Sequence, residues 1–472
     1  MNIIVSVNDD HIIGINNDLL IKSKKDLKRF SKITTNDNDS KKNMIVMGYN
    51  TWKSIPNRPL SDRLNIIISN NHISEFTNDE NIKCFVTFDN FMEWFNKNKI
   101  NYGECYIIGG QSIYDILLKN YKDYIQYIYI TKFDHIYYYS SNTDALSYKY
   151  FNYDLSKFKL VNTETTNDEV EFYTGEKCNL DINYHTYIHP DLYNIEEYQY
   201  INLLGEILNT DKKPSRNGCV YSKFGVRMEF DLRNGFPLLT TKKMGWKTIL
   251  RELLWFISGS TDNLILQENK VHIWDKNAED FEKRGLYKKN DLGPVYGFQW
   301  RHFGGEYIDC NTKPSEGVDQ FKYIIDTIKT DPTSRRLILS AWNPVDIPNM
   351  ALPPCHVLVQ FNIDGTYIDA QLYQRSGDMF LGVPFNITSY AFLLSIIGSI
   401  TGYVPRKLIH IIGDAHIYEQ HIDAVNIQMN RIPYKFPVLE MNQLDDIDNI
   451  KETDFILDYY KSHPTIKADM IV

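Results

Sequence analysis

The chain reads Leu352-Pro353-Pro354-Cys355-His356 and, one strand later, Leu372-Tyr373-Gln374-Arg375-Ser376-Gly377-Asp378. A rigid Pro-Pro turn presents the cysteine, and the next strand returns an arginine and a serine toward it. A cysteine reacts as its thiolate, and a neighbouring guanidinium lowers the pKa that controls it. Arginine and serine together also make a receptor for phosphate. A lone cysteine at a strand start is more often a small buried hydrophobe. Here the whole neighbourhood carries chemistry, and the thiol reads as functional.

Working outward, Leu337–Ala341, Val357–Ile363 and Tyr367–Tyr373 predict strands, and Pro384-Phe385-Asn386 opens a long apolar helix ending near Gly402. Upstream, Glu196–Leu208 and Lys247–Ile257 have helical spacing. In the first third, Ile3–Val7 predicts a buried strand. Lys24–Ile33 predicts a helix with Leu27 and Phe30 on one face, followed by a polar loop over Thr34–Lys42. Met44–Met47, Asn65–Ser69 and Tyr106–Ile108 are short apolar strands, each leading into a turn or helix. This alternation predicts an α/β domain with a mainly parallel sheet covered on both faces. Around Gly175–Asn194 the pattern gives way to a polar, tyrosine-rich stretch. The expected division is therefore a domain over 1–175, a short linker over 176–193 and a second domain over 194–472.

At 472 residues the chain is long for one core, and 43% hydrophobic with 24% charged residues describes a soluble globular protein. A net charge of −9 gives no support to nucleic-acid binding through a generally basic surface. The cysteines at 84, 105, 178, 219, 310 and 355 contain no CxxC pair, which argues against a zinc site and a disulfide framework. The start lacks the pattern of a signal peptide, and no apolar run reaches the roughly 18 residues of a membrane span. A cytoplasmic protein with no metal and no membrane association is the expectation.

The Cys355 and Arg375 stretches do not stand alone. Arg216 lies in Ser-Arg-Asn-Gly, Arg335 and Arg336 in Thr-Ser-Arg-Arg, and Glu252 in Arg-Glu-Leu-Leu-Trp-Phe. Tyr296 follows Gly-Pro-Val, Asn386 lies in Pro-Phe-Asn-Ile, and His416 and Tyr418 in Gly-Asp-Ala-His-Ile-Tyr. From about Asn194 to Val472 these motifs closely resemble thymidylate synthase, which implies an α+β domain. By that resemblance Cys355 is the nucleophile that adds to C6 of dUMP, and C5 then attacks the one-carbon unit of 5,10-methylenetetrahydrofolate. Arg216, Arg335, Arg336, Arg375 and Ser376 bind the nucleotide phosphate, with Arg335 and Arg336 reaching across a homodimer. His356, Gln374, Asp378, Asn386, His416 and Tyr418 complete the dUMP set. Asn386 can donate and accept through one amide, matching O4 and N3–H of uracil; relatives specific for cytosine have aspartate there. Glu252 organises a water chain, although alone it reads equally well as half of a structural ion pair. Tyr296 assists removal of the C5 proton. Ile273, Trp274, Leu352, Asp378, Gly382 and Phe385 hold the folate, and His463–Val472 resembles the tail that closes over both ligands. Gly377, often cysteine or alanine in this family, is expected to have little consequence.

From about Met1 to Gly175 a second resemblance, to dihydrofolate reductase, rests on Asp26 in Lys-Lys-Asp-Leu-Lys-Arg-Phe, Arg63 in Arg-Pro-Leu-Ser-Asp-Arg, Met-Gly-Tyr-Asn-Thr-Trp (47–52) and Ile-Gly-Gly-Gln-Ser-Ile-Tyr (108–114). It implies that Asp26 pairs with the pterin and promotes protonation at N5, backed by Thr131. Arg63 holds the glutamyl carboxylate of dihydrofolate, and Phe30 and Ile55 line the apolar wall. Ser6, Ile13, Gly48, Thr51, Ile108, Gly109, Gly110 and Tyr114 take NADPH, with helix N-termini near the pyrophosphate. The order of the two halves matches the family in which both enzymes share one chain. Two departures stand out. Leu20-Ile21 replaces Pro-Trp, and Tyr49, Asn50, Asn70 and Ser112 replace basic residues near the NADPH 2′-phosphate. Weaker discrimination against NADH is expected, unless Lys53 or Lys83 compensates. Two other readings remain: an active synthase with a non-catalytic reductase-like scaffold, and an RNA-binding regulator, which the acidic composition disfavours.

Overall fold

The apolar run at the start becomes β1 (Asn2–Val7), followed in the same sheet by β2 (Ile21–Ser23), β3 (Asn43–Gly48), β4 (Arg63–Ile68), β5 (Ile82–Phe85), β6 (Cys105–Gly109), β7 (Tyr127–Phe133), β8 (Lys159–Phe172) and β9 (Lys177–Ile188). The structure, a computed structural model, describes residues 1–36, 41–76, 79–135, 147–151, 153–314 and 316–471. Its two units, Met1–Tyr193 and Asn194–Val472, are described separately.

In the first unit the sheet order is β2-β8-β9-β7-β1-β6-β3-β4-β5. β5-β4-β3-β6-β1-β7 are joined in parallel, and β9, β8 and β2 are added antiparallel. Helices α1 (Lys24–Thr34), α2 (Tyr49–Ser54), α3 (Phe88–Asn98) and α4 (Gln111–Asn120) flank it. Along β3, Met44 and Val46 join one apolar cluster with Phe88, Phe91 and Leu117, while Ile45 and Met47 join another with Trp52. Alternate residues thus bury opposite faces, as a doubly covered sheet requires.

Three local expectations are corrected. The segment expected as a linker over 176–193 contains β9, which lies between β8 and β7. Ile182, Tyr184, Thr186 and Ile188 are buried, and Asp181, Asn183 and His185 alternate with them in more exposed positions, a half-buried antiparallel pattern that polar residues disguise. On α1, the face that carries Leu27 and Phe30 is less buried than its apolar residues suggest: Leu27 is 53% exposed, Phe30 is half-buried, and only Thr34 is buried. Within the expected loop over 34–42, Thr34 ends α1, and residues 37–40 lie outside the described residues.

The second unit contains α5 (Ile195–Leu208), β10 (Lys212–Ser215), β11 (Gly218–Asp231), α6 (Trp246–Ile257), α7 (Tyr296–His302), β12 (Ile338–Ser340), β13 (His356–Asp364), β14 (Tyr367–Asp378), α8 (Gly382–Thr401) and β15 (Val404–Tyr418). The sheet order is β10-β11-β15-β14-β13-β12, with only β14 and β15 parallel. α8 is long and apolar enough to cross a membrane, but 83% of its most apolar window is buried within the unit. It is the core helix, and it ends at Gly402, whose φ of 79° closes the last turn in the left-handed region. On the opposite sheet face, Leu358, Tyr373 and Ile411 lie in register and Ile338 and Ile409 flank them, none of them buried.

Candidate active sites

In the second unit the Pro353-Pro354 turn delivers Cys355 immediately before β13. Arg375, on β14, is held by its own fork. Its Nε donates to the Pro354 carbonyl at 2.9 Å, one Nη2 contact reaches the Pro353 carbonyl at 3.0 Å, and the other lies 3.9 Å from Cys355 Sγ. The Cys355 amide donates to the Tyr296 hydroxyl at 2.7 Å. Burial pushes the Cys355 thiol up, and Arg375 and then Arg216 only partly oppose it. This corrects the expected lowering: for a thiol this deeply buried, desolvation outweighs the guanidinium charge.

Behind the thiol is a polar network with neutral imidazoles. His356 stacks on Tyr296 at 4.1 Å, and its Nδ1 lies 2.9 Å from the Tyr390 hydroxyl. Burial holds His356 and His410 down at about 3. His410 Nε2 bonds Gln374 Oε1 at 2.8 Å, and Gln374 Nε2 donates to Asn386 Oδ1 at 3.0 Å. With its oxygen engaged, Asn386, in the first turns of α8, has Nδ2 available to donate to a ligand. Gln374 Nε2 also reaches the Ser376 carbonyl at 2.9 Å. Asp378 ends β14 and caps the next turn, accepting from Phe380 N at 2.9 Å and Leu381 N at 3.2 Å. Gly382 lies beside it, where a Cβ would come 3.8 Å from the Asp378 Cβ. His416, in register with Asp378, has its ring 5.1 Å from that of Tyr418.

The carboxyl of Glu252, on α6, accepts from Trp274 Nε1 at 2.8 Å. Apolar surroundings push it up to about 7, with the indole hydrogen bond in partial opposition. Ile273, Leu352 and Phe385 pack partly exposed against the core that contains Trp274. Arg216 lies in the turn between β10 and β11, its Nε donating to Asn217 at 3.0 Å. Arg335 and Arg336 are exposed just before β12. The tail is seated: His463 stacks on Tyr434 at 4.8 Å, and the Asp469 carbonyl lies 2.9 Å from His421 Nε2. Val472, at its end, lies outside the described residues. Gly377 has more consequence than expected, since a Cβ there would lie 2.7 Å from Val383 and 3.2 Å from Gln374 Nε2.

Sequence reasoning missed Lys242. It is buried, donates to the Phe380 carbonyl, lies 3.9 Å over the Phe380 ring, and is pushed down to about 7 by burial against the pull of Asp378. In Thr-Thr-Lys-Lys it looks like a surface charge. The one signal was distant: Glu197 is buried too, and its carboxylate accepts from the backbone and hydroxyls of Thr240 and Thr241, fixing the turn before Lys242.

In the first unit Ser23 caps α1 by accepting from Asp26 N, which turns Asp26 toward β7, where Thr131 Oγ1 donates to it at 2.6 Å. Burial raises the Asp26 pKa, and Thr131 and Arg29 oppose the rise in that order. Arg63 is buried, with Nε on the Ser61 carbonyl at 2.8 Å and Nη1 on the Thr34 hydroxyl at 2.7 Å. Phe30 and Ile55 border the same apolar cluster. Ser6, Ile13, Leu20 and Ile21 line one small cavity. The two glycine stretches converge. A Cβ on Gly48 would lie 4.0 Å from Gly110 N, and one on Gly110 would lie 3.2 Å from the Thr51 hydroxyl. Gly109 takes φ of 112°, Ile108 precedes it on β6, and Tyr114 donates to the Ile4 carbonyl at 2.9 Å. Bare backbone here leaves room for the close approach of a pyrophosphate, which fits a dinucleotide. Around Tyr49 the chemistry differs: its hydroxyl donates to Glu75 at 2.9 Å, and its ring stacks on His72 at 3.7 Å. Lys53 Nζ lies 5.6 Å from the Tyr49 ring, whereas Lys83 is over Trp94. Asn50, Asn70 and Ser112 are exposed.

Residues 198–472 match the family model described as thymidylate synthase, and residues 1–180 the one described as dihydrofolate reductase. A putative bifunctional dihydrofolate reductase-thymidylate synthase of Oryza sativa subsp. japonica is 39% identical over 98% of this chain and 100% of its own length. The bifunctional dihydrofolate reductase-thymidylate synthase of Plasmodium chabaudi is 37% identical over 92% of this chain and 84% of its own. The thymidylate synthase of varicella-zoster virus (strain Dumas) is 49% identical over 58% of this chain and 94% of its own.

Proposed function

Because the chain belongs to the bifunctional dihydrofolate reductase–thymidylate synthase family, we propose the following roles for its site residues. The chain is a two-activity enzyme: it methylates dUMP to dTMP with 5,10-methylenetetrahydrofolate and reduces the resulting dihydrofolate with NADPH. Cys355 Sγ adds to C6 of the uracil, making C5 nucleophilic toward the methylene carbon. Arg375 and Arg216 compensate the thiolate and the nucleotide phosphate together. Asn386 donates to O4 through the nitrogen that Gln374 leaves free. Glu252, balanced near neutrality, exchanges protons with water at O4 and the folate nitrogen. Tyr296 aids loss of the C5 proton as the methylene carbon's bond to the folate nitrogen breaks, and the tetrahydrofolate so released supplies the hydride that completes the methyl group and leaves as dihydrofolate. Elimination then restores Cys355. In the other site Asp26 holds the pterin and favours protonation at N5, and Arg63 takes the glutamyl carboxylate. Bound NADPH supplies the hydride, and Gly48, Thr51, Ile108, Gly109 and Gly110 would hold it.

The Cys355–Arg375–Tyr296 arrangement is the observation that carries the synthase reading. Cys355→Ser should abolish dTMP formation and spare dihydrofolate reduction, and Asp26→Asn should do the reverse at neutral pH. Loss of both activities from either change in a folded chain would refute independent sites. The Asp26–Thr131 pair and the glycine cradle disfavour a non-catalytic reductase half.

NADH acceptance follows from Tyr49 and Glu75. The carboxylate that Tyr49 holds repels a 2′-phosphate, and among the described residues Lys53 and Arg58 are the full cations near enough to offset it. Initial rates with the two dinucleotides compared directly test this, and a strong preference for NADPH would overturn it. We further propose a homodimer through the open face of the β10–β15 sheet. Its row of unburied Leu358, Tyr373 and Ile411 supports that reading, as does the exposure of Arg335 and Arg336 for donation to a partner. Six free cysteines fit a reducing, cytoplasmic compartment.

A further inference from the structure

Arg29 lies one turn beyond Asp26 on α1 and turns inward, its guanidinium 4.4 Å over the ring of Tyr184. Among the described residues, Nη1 is buried with no hydrogen-bond partner, and so is the Tyr184 hydroxyl. Tyr184, on β9, is in register with Thr131 on β7, whose hydroxyl donates to Asp26 at 2.6 Å. Asp26, Arg29, Thr131 and Tyr184 therefore form one cluster under α1. Leaving a guanidinium donor buried and unpaired is costly. Folds keep such groups where a function offsets the cost.

We propose that Arg29 is a positioning residue for dihydrofolate reduction: stacked on Tyr184, its guanidinium supplies the fixed positive charge that keeps the Asp26 carboxylate ionised in the pterin pocket. The proposal rests on reading Asp26 as the acid of that site. The groups facing this cluster come from four elements. α1 contributes Arg29 and Lys25, and the Lys25 ammonium is spent on the Asn167 carbonyl and the Thr166 hydroxyl. β8 contributes Glu164, an anionic neighbour of Arg29, and Asp168, held by Ser23 and Lys25 N. β7 contributes Thr131 and Tyr129, and β9 contributes Tyr184. Of these, only Arg29 places a cationic charge against Asp26. Without it, burial is opposed by the Thr131 hydrogen bond alone, and Asp26 takes its proton at higher pH.

The test is single-turnover hydride transfer from NADPH to dihydrofolate across the neutral range. It uses the full chain and its Arg29→Met, Arg29→Lys, Tyr184→Leu and Asp26→Asn variants, with dTMP formation confirming an intact protein. Arg29→Met should displace the pH profile to higher pH, with a rate several-fold above wild type on the alkaline side. Arg29→Lys should keep the wild-type profile, and Tyr184→Leu, which removes the platform, should shift it in the same direction as Arg29→Met. A wild-type profile in Arg29→Met overturns the proposal, as does a lysine variant that behaves like the methionine one, since packing rather than charge would then be responsible. If Arg29→Met does not fold, an unshifted profile in Tyr184→Leu overturns it equally. An Asp26→Asn variant that retains rate and profile would instead refute the role of Asp26 itself.

Discussion

Replacing Glu252 by glutamine should abolish dTMP formation and remove the loss of stability that the synthase unit suffers as pH rises through neutrality. The carboxyl rises from 4.5 in the unfolded chain to about 7 in the fold. A group whose folded pKa is raised contributes most below its unfolded value, and that contribution is lost as pH climbs through the folded value. The folded wild-type protein therefore loses roughly 3 kcal/mol, at about 1.4 kcal/mol per pH unit, between the two pKa values. Glutamine cannot ionise, so the variant escapes this loss. It still accepts from Trp274 Nε1, and its unpaired NH2 imposes a penalty of about 1–3 kcal/mol that does not vary with pH. The slope is therefore diagnostic and the offset is not. The assay is calorimetric unfolding at several pH values from about 4.5 to 8, following the transition that added dUMP raises. The melting temperature of Glu252→Gln relative to wild type should climb by on the order of 5 °C over that range. A difference that stays flat with pH would refute the reasoning, because Glu252 would then ionise as freely in the fold as in water.

Asn386→Asp should cut kcat/KM for dUMP about 10²-fold through loss of the donor to O4, while activity on dCMP appears; unchanged base preference would remove Asn386 from the specificity site. Lys242 titrates in the opposite sense to Glu252. Its charged form is disfavoured in the fold, so stability falls as pH drops from 10.5 toward about 7. Lys242→Met should flatten that limb in urea unfolding, and an unaltered slope would mean the amine is hydrated. For the dimer, mixing Cys355→Ser chains with Arg336→Glu chains should restore dTMP formation, since one site per mixed dimer then has an intact thiol and intact partner arginines. No recovery in a verified mixed dimer would place Arg336 in its own subunit's site.

The sequence made legible whatever is carried by local periodicity or by residue type. α6, α8 and the β13–β14 pair follow from apolar spacing, and Cys355, Arg375 and Asn386 fall in one network because short motifs fix them near the ends of paired strands. What escaped depends on packing between distant segments. The sign of the Cys355 shift is decided by how deeply the surrounding segments bury the thiol. Lys242 is buried because Glu197, far upstream, holds the turn before it. Gly377 is tight because Val383 on α8 comes against β14. The outward face of β9 is so polar that its alternation fell below recognition, and the segment read as a connector.

That last misreading bears on how the chain is made. β9 is an inner strand, with β8 and β2 attached only through it. During synthesis from the N-terminus the reductase sheet cannot close until residue 188 has emerged. Before then β8 and β7 each expose a free edge, the condition under which strands pair with the wrong chain. A reductase half severed at residue 175 would retain every residue proposed to touch its ligands. It would nevertheless lose the strand that pairs with β7 beside Thr131, and Tyr184 with it, and it should aggregate rather than fold.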